Sequence, residues 1–402
     1  MRTTRCSRRL SEQLNSRVVH VCAYFAPAFV YGGPPRSILG LCAAQQHAGL
    51  DVRVVTTTAN GDDELPEDTN ATYGGVRVQY CARGWPRSAF RAPSLGAAVR
   101  AALASADIVH LHGLWNATIW AAAAEARRAR RPYVLSPRGM LSPAALAHDA
   151  WRKRIAYLAF DRAVIRGAAM LHATSRPELD ALASRFGASR TCYVPNGVTL
   201  SPPVITDPCE TRRQFGLGTA PFVLFLGRIH PIKRLDLLAT AFARVRQQHP
   251  EIRLVIAGPD EEGHRSRIGP LFAPLGDAVT WTAAVSEQDK GKLLDACSML
   301  VLCSDSESFG MSAAEAMAAA RPVVVTKGCP WPEVESRETG VWVEQSSEAI
   351  ADGISAILSD PRRATEMGQR GRALIEERYT WPKAVAQLEE VYRRLAPGHS
   401  HA

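Results

Sequence analysis

Glu307 and Glu315 stand eight residues apart in the stretch SESFGMSAAEAMAAARPVV, residues 306–324. Ala and Met are strong helix formers, so the run after Phe309-Gly310 predicts a helix. From Met311 to Ala320 its only polar side chains are Ser312 and Glu315. A helix apolar all round is normally buried, and a buried carboxylate needs a partner. Glu315 then has two readings: partial exposure or an ion pair within the protein, or a carboxylate kept for a ligand with hydroxyl groups. Phe309-Gly310 at the helix entrance would leave N–H groups free for a phosphate. Helical geometry would place Glu307 about 12 Å from Glu315, less with a turn between them. That is roughly the reach from a sugar to a ribose across a diphosphate.

Other loops carry complementary groups. PFVLFLGRIHPIKRLDLLATAF runs strand, loop, helix, and its loop offers Gly227, Arg228 and Lys233. A forked guanidinium and a point-charge ammonium beside a helix start suit a diphosphate, although an ordinary solvated loop has the same look. IRLVIAGPDEEG ends at Gly258, where backbone could approach a flat base, or simply turn. FVYGGPPRS sets Gly32-Gly33 before a helix; adjacent glycines admit a bound group closely, and equally make a plain turn. IVHLHGLW puts His110 and His112 on one face of a strand. No further ligands of suitable spacing accompany them, so no metal is expected. His112, next to Gly113, either faces a cleft or is a hydrogen-bonded structural histidine. YVLSPRGMLSP places Arg138 at the same sheet edge, as an anion contact or a surface arginine.

These loops must be held by a regular frame, and the chain supplies one. Short β-branched runs alternate with Ala/Leu-rich runs, the pattern of parallel strands joined by helices. VVHVCAYF, DVRVVTT, IVHLHG, YVLS and MLHATS predict strands in the first half; PFVLFLG, IRLVIAG, AVTWTA, MLVLCS and RPVVVT predict them in the second. The Pro- and Gly-rich segment at 199–218 predicts a linker. The expected architecture is α/β: two doubly wound Rossmann-like domains, 17–198 and 219–378, facing each other across a cleft. A basic tail (1–16) would precede them and a helix within 379–402 would follow. Ligands in such sheets sit outside the carboxyl ends of the strands, where the loops above lie.

At 402 residues the chain exceeds one ordinary core. Its 46% hydrophobic and 22% charged content are those of a soluble globular protein, and no apolar run is long enough for a membrane span. The charge is uneven: residues 1–200 hold 25 Lys+Arg against 13 Asp+Glu, the rest 23 against 26. A basic half suggests an anionic partner or a solvated Arg-rich surface. Trp151-Arg152-Lys153-Arg154 opens a helix that mixes aromatic and basic residues; it could rest on an anionic membrane or pack its apolar stripe inward. The basic start before VVHVCAYFAPAFV loosely imitates a signal peptide, but His20 and Pro27 interrupt the run, and a buried first strand explains it better. Nine Cys without a C-x-x-C pair suggest reduced thiols and a cytoplasmic setting.

Taken together these motifs resemble the retaining glycosyltransferases of family 4, which have the GT-B fold. The resemblance covers about residues 18–395. It rests on the E-x7-E pair Glu307/Glu315, LGRIHPIK at 226–233, VPNGV at 194–198 and SPRGML at 136–141. GCPWPEVESRETGVWV also looks like members that build bacterial exopolysaccharide and lipopolysaccharide. The resemblance implies that Arg228 and Lys233 hold the donor diphosphate, with Phe309-Gly310 along the phosphates and sugar. Glu315 would bind the nucleotide ribose, with Gly258 near the base, and Glu307 the donor sugar at the reaction centre. Gly32, Gly33, His112 and Arg138 would lie on the acceptor side, His112 close enough to act in catalysis. Two positions depart from the family pattern: Arg234 and Ala320 stand where Gly is common.

The implied activity is transfer of a hexose from a nucleoside-diphosphate sugar to a hydroxyl acceptor with retention, without cofactor or metal. The acceptor would be a glycan or polyprenyl-diphosphate-linked intermediate, met at the inner face of the cytoplasmic membrane. No nucleic acid is expected as a partner. A same-fold nucleotide-sugar epimerase or phosphorylase, or a catalytically silent membrane scaffold, are the rival readings.

Overall fold

The computed structural model describes residues 16–147, 150–200, 207–260 and 263–396. Nearly all of the expected basic tail, and 201–206 of the expected linker, lie outside the described residues.

The first half builds β1 (Arg17–Cys22), β2 (Asp51–Thr57), a small hairpin of β3 (Ala59–Asn60) and β4 (Asp63–Glu64), then β5 (Asp68–Tyr73), β6 (Val76–Cys81), β7 (Ile108–His112), β8 (Tyr133–Ser136), β9 (Met170–Ala173) and β10 (Thr191–Tyr193). Eight of these form one sheet in the order β10-β9-β8-β7-β1-β2-β6-β5. All its neighbours are parallel except β5, which runs antiparallel to β6. The second half adds β11 (Phe222–Leu226), β12 (Arg253–Ala257), β13 (Val279–Thr282), β14 (Met299–Leu302), β15 (Val323–Thr326) and β16 (Gly340–Val343). They pair in parallel in the order β13-β12-β11-β14-β15-β16. These are two Rossmann-like domains. Their central strands are buried on both faces, so β7, β11 and β14 are buried at every residue and lack a polar alternation.

The predicted strands all form, to within a few residues at their ends. Six were not anticipated: β3, β4, β5, β6, β10 and β16. β5 and β6 are a hairpin turned by Gly74-Gly75, both at positive φ (56° and 81°); the strongest clue was the Gly pair between TY and VRVQY. β5 is an exposed, polar edge, so it lacks the apolar alternation that marks a strand. β10 and β16 are short strands at the ends of their sheets.

The expected linker is partly structured. Asp207 caps a helix at Pro208–Gln214, accepting from the Cys209 N–H, and Leu217 is buried in the core of the second domain. The last helix, Trp381–Leu395, leaves that domain and lies against the first helix, Gly33–His47. Its Tyr392 and Leu388 are buried in the first domain's core. Among the described residues no helix is long and apolar enough to cross a membrane. The eight cysteines described are all unpaired, six of them buried.

Candidate active site

In each sheet the strand order reverses beside the first strand, between β1 and β7 in one domain and between β11 and β14 in the other. The loops that leave the carboxyl ends of such a strand pair diverge and open a crevice. Both crevices contribute to a single cleft of about 890 Å³. Gly32, Gly33, His112, Arg138, Arg228, Gly258, Lys233, Glu307, Phe309, Gly310 and Glu315 all line it. Residues scattered over almost three hundred positions of sequence therefore meet in one place.

On the second domain's side, Lys233 ends a short turn after β11 and Glu307 follows β14. Their side chains, 14% and 13% exposed, form an ion pair. Ser304 Oγ also donates to Glu307 Oε1 at 2.6 Å. The two loops interlock, Asp305 N–H donating to the Ile232 carbonyl and Glu307 N–H to the Gly328 carbonyl. A Cβ on Gly328 would sit 2.2 Å from the Ser304 carbonyl, which accounts for glycine at the head of GCPWPEV. Gly310 starts the helix Met311–Ala318 with φ 82°, and Gly310, Met311, Ser312 and Glu315 face the cleft.

Three expectations need correction here. Glu315 is not an unpaired carboxylate: Lys290 Nζ lies 2.7 Å from its Oε1. The ion-pair reading of the helix was right for this state, and the partner comes from a different helix, 25 residues earlier. The Phe309 ring does not lie along a ligand; it is 3% exposed and packs against Trp331 and Tyr379. Only its backbone can serve the cleft. Gly258 is glycine because a Cβ would lie 2.0 Å from the Gly227 carbonyl, where β11 and β12 end side by side, and not only for a base.

The two departures from the family pattern share one cause. Arg234 (φ 50°) and Ala320 (φ 55°) both hold the left-handed conformation that glycine adopts without strain. Arg234 offsets the strain with 2.9 Å ion pairs to Asp236 and Asp305. The loop after β11 therefore accommodates arginine at this left-handed position.

On the first domain's side, Gly32 (φ 78°) lies under Arg228, whose Nε would be 2.7 Å from a Cβ there. Nothing crowds a Cβ on Gly33. Arg138 is not a surface arginine. Its Nε donates to His112 Nδ1 (3.2 Å), its Nη1 to Ser37 Oγ (2.9 Å), and its Nη2 is buried without a partner. His112 is 3% exposed and its Nε2 bonds His20 Nδ1 at 2.9 Å, so both ring nitrogens are engaged. It holds Arg138 rather than offering a free base. Nitrogens of His20, His110 and His112 lie within 4.8 Å of one another. However, His110 and His112 stack with centroids 4.2 Å apart, and stacked rings do not aim at a common ion.

Reading the sequence missed several lining groups. Tyr24 and Tyr31 stack at 4.1 Å and, with Phe90, form an aromatic wall. Arg36 lies over the Phe29 ring and ion-pairs across the cleft with Glu287, which also pairs with Lys290. Among the described residues, Arg36, Arg138, Lys153, Arg228, Lys233 and Lys290 thus line the cleft against two carboxylates, Glu307 and Glu315. Such a lining attracts a compact anion.

The glycosyl transferases group 1 family model matches residues 209–374, and the glycosyl transferase 4-like domain model matches residues 32–197. Each half of this chain is thus similar to a glycosyltransferase domain family. A D-inositol 3-phosphate glycosyltransferase of Pseudarthrobacter chlorophenolicus is 31% identical over 59% of this chain, which spans 58% of that relative's length. One from Kineococcus radiotolerans is 26% identical, with 90% of each chain covered. Anabaena Alr3699/HepE, solved with UDP-glucose, superposes with a TM-score of 0.76 at 20% identity over 94% of this chain and all of that one. Sucrose-phosphate synthase from Thermosynechococcus elongatus gives 0.75 at 23%, covering 94% and 99%. These neighbours establish the GT-B arrangement of the two domains.

Proposed function

We propose that the enzyme transfers a hexose from a nucleoside-diphosphate sugar, with retention, to a hydroxyl of a phosphate-bearing acceptor. The supporting observation is the cleft itself: six cations and two ion-paired carboxylates gathered at two facing strand crossovers. In this reading the donor replaces existing partners. Its diphosphate takes Lys233 and Arg228, freeing Glu307 for the sugar hydroxyls, and its ribose takes Glu315 from Lys290. Lys233 exchanges a carboxylate for phosphate, Lys290 keeps Glu287, and hydroxyl donors meet both freed carboxylates, so no desolvated charge is left without a partner. The leaving diphosphate, stabilised by these cations and by the amides at Gly310–Ser312, takes up the acceptor proton. These cations supply the charge that a metal would otherwise bring. His112 acts through Arg138. A phosphate-bearing acceptor is consistent with the relatives' named inositol 3-phosphate and equally with a polyprenyl-diphosphate glycan.

Nucleotide release from UDP-, GDP-, ADP- and dTDP-sugars, wild type beside Glu307→Gln, tests the reading. Slow release from one donor, lost in the variant, is expected. If no donor is hydrolysed and calorimetry detects no nucleoside diphosphate binding, the reading fails.

A membrane contact has its own support. Trp151, Ile155 and Leu158, spaced along one helical face at 150–161, are 60–66% exposed beside Lys153 and Arg154. Flotation with anionic liposomes at low salt, lost at high salt, is expected; no flotation at low salt retires the contact.

A further inference from the structure

Beneath the acceptor side the first domain buries four histidines: His20 on β1, His110 and His112 on β7, and His172 on β9. Burial lowers all four from their ordinary range, His20 and His172 to about 4, so they are neutral near pH 7. A neutral imidazole has one donor and one acceptor nitrogen, and here the two ends of a hydrogen-bond chain decide which is which. At the cleft end Arg138 Nε can only donate, so His112 Nδ1 accepts and the proton sits on Nε2. His112 Nε2 donates to His20 Nδ1 (2.9 Å), and His20 Nε2 to Gln45 Oε1 (2.7 Å). Gln45 Nε2 donates to Tyr392 Oη (3.2 Å), which donates to His110 Nδ1 (2.6 Å). His110 Nε2 donates to Ser136 Oγ (2.8 Å) and Ser136 Oγ to His172 Nδ1 (2.6 Å). His172 Nε2 ends the chain on the Val194 carbonyl (2.8 Å), which can only accept. Every link meets donor with acceptor, and all four rings share the Nε2–H tautomer. Turning one link alone would set two donors or two acceptors face to face.

Tyr392 comes from the last helix, beyond the second domain. We propose that Tyr392 and Gln45 are positioning residues: docking of the last helix closes this chain, fixes His112 as the Nε2–H tautomer, and so keeps the lone pair that holds Arg138. Without them His20 and His112 exchange tautomers, and an Nδ1–H turned toward Arg138 Nε–H pushes the guanidinium away. The effect reaches the donor loop. Arg138 sits at φ 53° beside Gly139, where a Cβ would lie 2.9 Å from Ser308, the neighbour of Glu307. The kinetic part of this proposal rests on the transferase reading; the tautomer does not.

The test is the ¹⁵N imidazole spectrum of the full chain labelled at histidine, for wild type, Gln45→Leu and Tyr392→Phe, beside steady-state nucleotide release. Wild type should show His112 as a single Nε2–H form. Each variant should mix the tautomers of His112 and lower kcat about tenfold, with the donor KM within about twofold. Gln45→Leu alone decides if Tyr392→Phe does not fold. A pure Nε2–H His112 in a folded variant overturns the proposal, as does a mixed tautomer with unchanged kcat. Absence of release from the wild type would leave the spectrum alone to decide this proposal, and nucleoside diphosphate binding by calorimetry would decide the transferase reading separately.

Discussion

At the scale of single residues, Glu307 carries the sharpest expectation. Its carboxylate is held by Lys233 and Ser304, and the proposed reaction needs it on the donor sugar instead. Glu307→Gln should abolish transfer, because the neutral amide cannot stabilise positive charge developing at the anomeric carbon. It also removes Lys233's partner and leaves that ammonium free for phosphate. Nucleoside diphosphate affinity by calorimetry should therefore stay within about tenfold of wild type, shifted toward tighter binding. Weakening beyond tenfold would move Glu307 from the sugar to the nucleotide. Arg228→Ala should do the reverse, weakening diphosphate binding well beyond any change in fold stability. Glu307, Arg228 and Lys233 could be found from sequence because each follows a strand within a short loop, so chain order already announces their place. Lys290 and Arg36 could not. Lys290 reaches Glu315 from another helix and Arg36 reaches Glu287 from the other domain. Nothing local to either position signals a partner that far along the chain.

At the scale of elements, the strands were readable wherever burial on both faces made them continuously apolar, and unreadable at the polar edge β5. The histidines on β1, β7 and β9 went the other way. A histidine inside an apolar strand suggests a ligand or a solvent-facing position, yet these four belong to one internal chain of hydrogen bonds. Because burial holds their protonation below its ordinary range, the folded state resists protons that the unfolded chain accepts. His20 and His172 titrate near 4 in the fold and near 6.5 when unfolded. Between those values the unfolded state binds more protons, so stability is fully present above about 6.5 and falls as pH drops toward 4. Each contributes a slope of up to about 1.4 kcal/mol per pH unit. The buried Glu178 carboxyl is raised by burial and opposes part of this loss. Urea unfolding across that window should show His172→Gln with a shallower slope than wild type, since a glutamine amide can still reach the Val194 carbonyl. An unchanged slope would remove His172 from the titrating set.

At the scale of the molecule, two sheets are held so that their crossovers face each other, and the last helix, whose Leu388 and Tyr392 complete the first domain's core, does part of the holding. Trp381 opens that helix and seats in a notch made by two glycines from separate segments of the first domain. A Cβ on Gly40 would lie 2.3 Å from Trp381 Cζ2, and one on Gly197 2.4 Å from its Cδ2. Val198 completes the seam, its N–H donating to the Tyr379 carbonyl. The VPNGV motif could be recognised in the sequence, but the reason for its glycine could not, because the indole it receives lies more than 180 residues later. Gly197→Ala meets both the indole and the Trp381 Cα, at 2.6 Å, so a turn of the side chain does not relieve it. Stability should fall by about 1–3 kcal/mol, the usual cost of overpacking a close contact. Amide exchange through Trp381–Leu395 should speed up while the nucleoside diphosphate, which the proposed reading places mostly on the second domain, keeps its affinity. Transfer, which needs both crevices in register, should lose kcat. Unchanged protection of the last helix would mean that the notch is not what seats it, and loss of nucleotide affinity instead would place the strain in the donor domain.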